Sequence, residues 1–183
     1  MARNTLSRSL HDVGLAAWFG GTLANAVALN PASGEAGSAR ATRAVANAGW
    51  NRWTPVNAAA IGAHLIGSVG QLQANKQRVA QQQGVKAMSA AKTALTAAAL
   101  GVTAYSRLLG KIVDQGGATP SKRATRPSKR ARGEVAAAQL RLDQLQWVVP
   151  AITGALVVVS SYAGEQQRPS EVLRGVTVKP ATV

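Results

Sequence analysis

Leu10-His11-Asp12-Val13-Gly14-Leu15-Ala16-Ala17-Trp18-Phe19-Gly20-Gly21 decides how the rest of this chain is read. An imidazole and a carboxylate stand at the mouth of an apolar run that continues to Leu29. A tryptophan follows the histidine by seven residues, which on a helix returns to nearly the same face. The run 13–29 is about 17 residues, at the lower limit for crossing a bilayer. Arg3 and Arg8 precede it, and Asn30-Pro31 predicts its end. An Arg-bearing start, a short apolar run and Ala24-Asn25-Ala26 also fit a secretory leader. Three further apolar windows favour membrane residence instead.

Those windows cover 56–72, 87–113 and 148–163. Trp50 and Trp53 precede the second and Trp147 the fourth, where indoles favour the membrane–water interface. Arg40, Arg43 and Arg52 lie on a basic helical run ahead of the second window, and Pro55 suits the first turn of a new helix. A Gln-rich exit leads to Gly84, a C-capping residue. The third window has Lys92 at its mouth and Arg107 and Lys111 at its far end, where long basic stems snorkel to headgroups. A segment from Glu134 with apolar residues at helical spacing leads into the fourth, with Pro150 near its first turn. The fold expected is all-α: an integral membrane antiparallel four-helix bundle with helices at about 10–29, 55–74, 87–113 and 140–163. Residues 1–164 then form one transmembrane domain, with a basic loop at 114–133 and a polar tail at 165–183. Mean hydropathy over all 183 residues is only +0.01, because charge is segregated into the connections. Buried helices of a soluble protein are the competing explanation; uncharged windows flanked by Trp and basic residues weigh against it.

The net charge of +14 predicts anionic partners. It peaks in a tandem repeat, Pro120-Ser-Lys-Arg-Ala-Thr-Arg followed by Pro127-Ser-Lys-Arg-Ala-Arg. Like charge without large apolar residues predicts a solvated, disordered loop. Lys122, Arg123, Arg126, Lys129, Arg130 and Arg132 there are candidates for binding anionic lipid headgroups. Nucleic acid is the weaker partner, since no aromatic residue is interleaved for stacking. Twelve Lys and Arg lie between helices one and two and between three and four, against eight at the termini and in the middle connection. That bias places the repeat on the cytoplasmic side of the cell membrane, although Arg3 and Arg8 pull the other way.

Each window carries its polar side chains on one face: His11–Trp18–Asn25, Asn57–His64–Gln71, Gln146–Thr153–Ser160, and Ser89, Lys92, Thr96, Thr103, Ser106. Polar groups in hydrocarbon are costly, so the four stripes should turn inward and bond across the helices. Counting from the helix ends places His11 and Lys92 near one membrane face, and His64 deeper by about 12 Å. Asp12 is positioned to pair with Lys92, and His64 to bond Ser68 or Thr96. The chain has no Cys, so thiolate chemistry and disulfides are excluded. Two His and no Cys argue against a closed all-protein zinc site, and copper would have only His and Met88 to bind it, with His11 the leading ligand. No nucleophile elbow, phosphate loop or metalloprotease motif is present.

His11-x6-Trp18-x-Gly20-Gly21 in a first transmembrane helix resembles two related groups of four-helix bacterial membrane proteins, the copper-resistance D-type proteins and the HemJ-type protoporphyrinogen oxidases. Lys92 early in the third helix and Ala104-Tyr105-Ser106-Arg107 near its end resemble the same groups. The resemblance implies a four-helix membrane fold. It also implies a cofactor-binding set of His11 and Lys92, with haem on the histidine, to which the stripes add His64. The oxidases continue their first helix into a Pro-Arg-bearing segment, whereas this chain has Ala26-Val27-Ala28-Leu29-Asn30-Pro31. Copper-associated members carry more Met and His. Asp12, Trp18, Gly20, Gly21, Asn57, Thr96 and Tyr105 complete the motif and packing positions. The residues thus favour a non-enzymatic membrane protein acting through partners, a homo-oligomer or a bound cofactor. A haem-dependent oxidase, a copper transport or tolerance protein and a basic nucleic-acid binder are the alternatives, with haem ahead of copper.

Overall fold

The computed structural model describes residues 4–82, 84–116, 133–168, 170 and 172. The repeat residues Lys122, Arg123, Arg126, Lys129, Arg130 and Arg132 lie outside that set, as does most of the tail. The described residues are helical, with no strand among them. Helix α1 (Thr5–Ala24) runs through a π-helical turn (Asn25–Leu29) into the short α2 (Asn30–Ser33). Next come α3 (Ala39–Ala74), the short α4 (Lys76–Gln81), α5 (Val85–Gln115) and α6 (Glu134–Glu165).

Proline does not break these helices where the sequence suggests. The first helix continues past Asn30-Pro31 to Ser33. A proline ring clashes with the carbonyl four residues earlier; for Pro31 that is Val27, at the centre of the wide π turn. Pro55 does not start a helix either. It lies inside the 36-residue α3, which joins the basic run to the second apolar window. Pro150 is likewise internal, because the segment from Glu134 is continuous with the fourth window. Helix starts follow local chemistry more closely. Gly37 at φ +76° turns the chain, and Ser38 then caps α3 by accepting from the Ala41 amide at 3.2 Å. Gly84, at φ +81°, takes the left-handed conformation between α4 and α5.

The four long helices lie antiparallel to their neighbours. Ser7 meets Gly70, Gly14 meets Ala60 and His64, Gly21 meets Trp53, and Leu29 meets Gly49, which fixes the α1–α3 register. α5 packs chiefly on α6, with Val135 near Gly116 and Arg141 bonded to Tyr105, and α6 also packs on α1. α3 and α5 are scarcely packed together. They touch through His64 and Thr96, and at the far end through Asn47 and Asp114 at 2.7 Å.

Among the described residues, two helical stretches, Thr5–Ser33 and Glu134–Glu165, are long and apolar enough to cross a membrane, with mean hydropathies of 1.2 and 1.5. The second and third windows fall outside that class, so two such spans stand where the sequence suggested four. Both spans are exposed for most of their apolar length, with only 28% and 22% buried. Val13, Ile66, Val69, Val158 and Tyr162 all point outward. The interior mixes apolar and polar side chains. Seven of the nine largest fully buried side chains are His11, His64, Gln139, Asn30, Thr42, Thr153 and Ser33; the others are Trp18 and Leu156.

Candidate functional site

The site forms where α1 and α3 approach most closely. Gly14 and Gly67 have no side chain to separate the backbones, and on either side of them His11 and His64 turn into the same space. Their ring centroids are 4.6 Å apart and inclined at 45°. Trp18, one turn beyond Gly14, closes the space with its ring centroid 6.1 Å from that of His64. All three side chains are buried. The depth offset of about 12 Å expected between the histidines is therefore corrected. α1 begins at Thr5, so His11 sits more than a turn inside the helix rather than at its mouth, and the glycine contacts set the register.

The polar bonds of the pair lead in two directions. His11 Nδ1 lies 2.7 Å from Asp12 Oδ1, whose side chain is 70% exposed. A carboxylate only accepts, so this nitrogen donates and the neutral ring keeps its lone pair on Nε2. Asp12 therefore pairs with His11 and not with Lys92, as the sequence suggested. On the other side, His64 Nε2 lies 3.3 Å from Thr96 Oγ1. Of the two partners expected for His64, the imidazole takes Thr96; Ser68 donates instead to the His64 backbone carbonyl at 2.7 Å. Among the described residues, His11 Nε2, His64 Nδ1 and Trp18 Nε1 are buried with no side-chain hydrogen-bond partner. Unsatisfied buried groups of this kind cost on the order of 1–3 kcal/mol each.

Thr96 and Lys92 also line a half-open cavity of about 420 Å³ between α3, α4, α5 and the end of α6. It opens where α3 and α5 fail to pack. Lys92 is half-buried, within the electrostatic field of Asp12 and Arg8, and among the described residues none bonds it directly. At the cavity mouth, Arg78 donates to Gln82 Oε1 at 2.9 Å, Asn75 Oδ1 at 3.3 Å and the Gln166 backbone carbonyl at 2.9 Å. Burial, and then the neighbouring Arg8, draw its pKa below the ordinary arginine value.

The other sequence candidates lie apart from the pair. Tyr105 is at the far end of α5, its hydroxyl accepting from Arg141 at 2.9 Å. Asn57 is half-buried two turns from His64, with Oδ1 unpartnered. Gly20 faces open space, whereas Gly21 abuts the Trp53 indole. Sequence reasoning missed Gly14, although its position one turn after His11 is the signal. It also missed the bond from Asn30 Nδ2 to Gln146 Oε1 at 2.9 Å and that from Trp50 Nε1 to Asn30 Oδ1 at 3.1 Å, because Asn30 was assigned to a helix end.

Haem, which the resemblance implies, does not fit between these rings. Bonds of about 2 Å on each side of a metal hold two imidazole centres roughly 6 Å apart, and a porphyrin plane must pass between them. At 4.6 Å the rings touch each other instead. Among the described residues, no group of three or more His, Cys, Asp or Glu could hold a metal ion. Compared with protein-family models, curated proteins and solved structures, the chain matches none.

Proposed function

We propose that the chain is a multi-pass integral membrane protein with four membrane-embedded helices, non-enzymatic, acting through a ligand or partner engaged along its inward polar seam. The observation that carries this reading is the exposed apolar surface of the two long spans, beside a core in which His, Asn, Gln and Thr are buried together with Leu15, Trp18 and Leu156. The core helix of a soluble protein buries its apolar face; these two spans leave most of theirs uncovered. Lipid is the medium in which that arrangement is favourable.

The start of α3, the end of α5 and the start of α6 share one end of the bundle, and the Lys/Arg repeat joins α5 to α6 there. The positive-inside rule makes this end cytoplasmic, with the repeat available to anionic headgroups and both termini on the opposite side. The histidine pair is a binding and coupling centre within the seam. It places exposed Asp12, the two touching imidazoles and Thr96 in a row from the surface of α1 to the cavity.

Alkaline carbonate washing of membranes tests the reading, with a haem titration as its second arm. The chain is expected to stay in the pellet and, once purified, to show no Soret band that His11→Ala removes. Release by carbonate would favour a peripheral basic protein, and a His11-dependent band would restore the oxidase reading.

A further inference from the structure

The cavity between α3 and α5 has one wall suited to hydrocarbon and one end suited to an anion. Leu65, Val69, Leu72, Ala97 and Leu100 supply the wall. Arg78 at the mouth and Lys92, seven residues into α5 and so deeper in the groove, supply the positive charge, and among the described residues no Asp or Glu lines the cavity. Every hydrogen-bond acceptor on Arg78 is a neutral amide oxygen, so its charge is solvated without being neutralised. Arg8 adds a third positive charge nearby, its guanidinium bonded to Gln167, another neutral group that lines the cavity.

We propose that this groove seats one acyl chain of an anionic phospholipid, with the headgroup phosphate held by Arg78 and Lys92. The inference rests on the membrane reading and adds the ligand class. Length supports it. From Asn75 at the charged end to Leu65 is ten residues of helix, about 15 Å, which is half of a hydrocarbon core of about 30 Å. A groove of that depth, open sideways and charged at one end, matches a single leaflet. Position supports it as well, since Arg78 lies on α4, just past the end of α3 and outside the apolar window, where a headgroup phosphate sits. Thr96 lines the groove and bonds His64, so an occupying chain would lie against the histidine pair.

The test uses the full chain, purified in a neutral detergent and titrated with mixed micelles of phosphatidylglycerol or phosphatidylcholine of matched chain length. Bound lipid and the thermal midpoint are both read. Wild type should bind phosphatidylglycerol more tightly, on the order of tenfold, and lose roughly fivefold of that preference in Lys92→Gln. Ala97→Phe, which fills the groove from an exposed position, should abolish saturable binding of both lipids. Equal affinity for the two lipids in wild type would overturn the proposal. So would an Ala97→Phe variant that binds phosphatidylglycerol as wild type does, since the lipid would then be held elsewhere, as on the Lys/Arg repeat. Either result in a chain that resists carbonate sinks the groove alone, whereas release by carbonate sinks the membrane reading beneath it.

Discussion

Gly67→Ala is expected to disrupt the α1–α3 interface, at a cost of about 3 kcal/mol and a fall in thermal midpoint of roughly 10 °C. A methyl group there would overlap the His11 backbone nitrogen and lie 2.5 Å from the Ser7 carbonyl. Both obstacles are backbone, so a rotamer change cannot relieve them; the helices must separate. Gly14→Ala meets the same kind of obstacle, with its methyl 2.5 Å from both the Ala60 carbonyl and the His64 amide nitrogen. Gly20→Ala is the control. Its methyl would meet nothing within 4 Å, and alanine favours the helix by up to about 1 kcal/mol. Fluorescence-monitored thermal unfolding in detergent checks all three. Equal behaviour of Gly20→Ala and Gly67→Ala would mean that close backbone approach does not hold these helices together.

Trp18→Ala is expected to cost about 3–5 kcal/mol, because the indole is fully buried and closes the space beside His64. Its ring also belongs to the small apolar cluster with Ala99 and Val149, and so ties α1 to α5 and α6. Truncation therefore removes packing on three helices and opens a cavity beside the histidine rings. Trp18→Phe should recover most of the loss. Among the described residues the Trp18 Nε1 proton has no partner, so removing it forfeits no hydrogen bond. Hydrogen exchange of the α1 and α3 amides, with thermal midpoints, measures both. A phenylalanine variant as damaged as the alanine variant would show that the indole nitrogen has a partner in the working protein.

Heptad spacing alone was enough to place His11, Trp18, His64 and Thr153 on inward faces, because a buried polar side chain on a helix leaves a periodic trace. Helix ends were harder to read. The signals at Asn30-Pro31, Pro55 and Pro150 are punctuation in soluble helices, yet here all three prolines lie within continuous helical runs. In lipid, a backbone group released by proline finds partners inside the protein more readily than it finds water. The histidine contact was hidden for a related reason. Depth counted from misplaced helix ends separated two rings that Gly14 and Gly67 bring together. Arg78 and the groove left no periodic signal. They arise from the gap between α3 and α5, which is a property of packing rather than of either helix.

The central claim is that the apolar outer surface faces lipid, and Ile66 tests it most directly. It is 66% exposed on α3, a helix whose own composition does not mark it as a span. The chain has no native cysteine, so Ile66→Cys carries a single reactive thiol for a nitroxide label. In bilayers the label should be relaxed strongly by oxygen and weakly by a water-soluble nickel chelate. Strong relaxation by the nickel chelate, with oxygen access no greater than for a label in buffer, would place α3 in water and contradict the account.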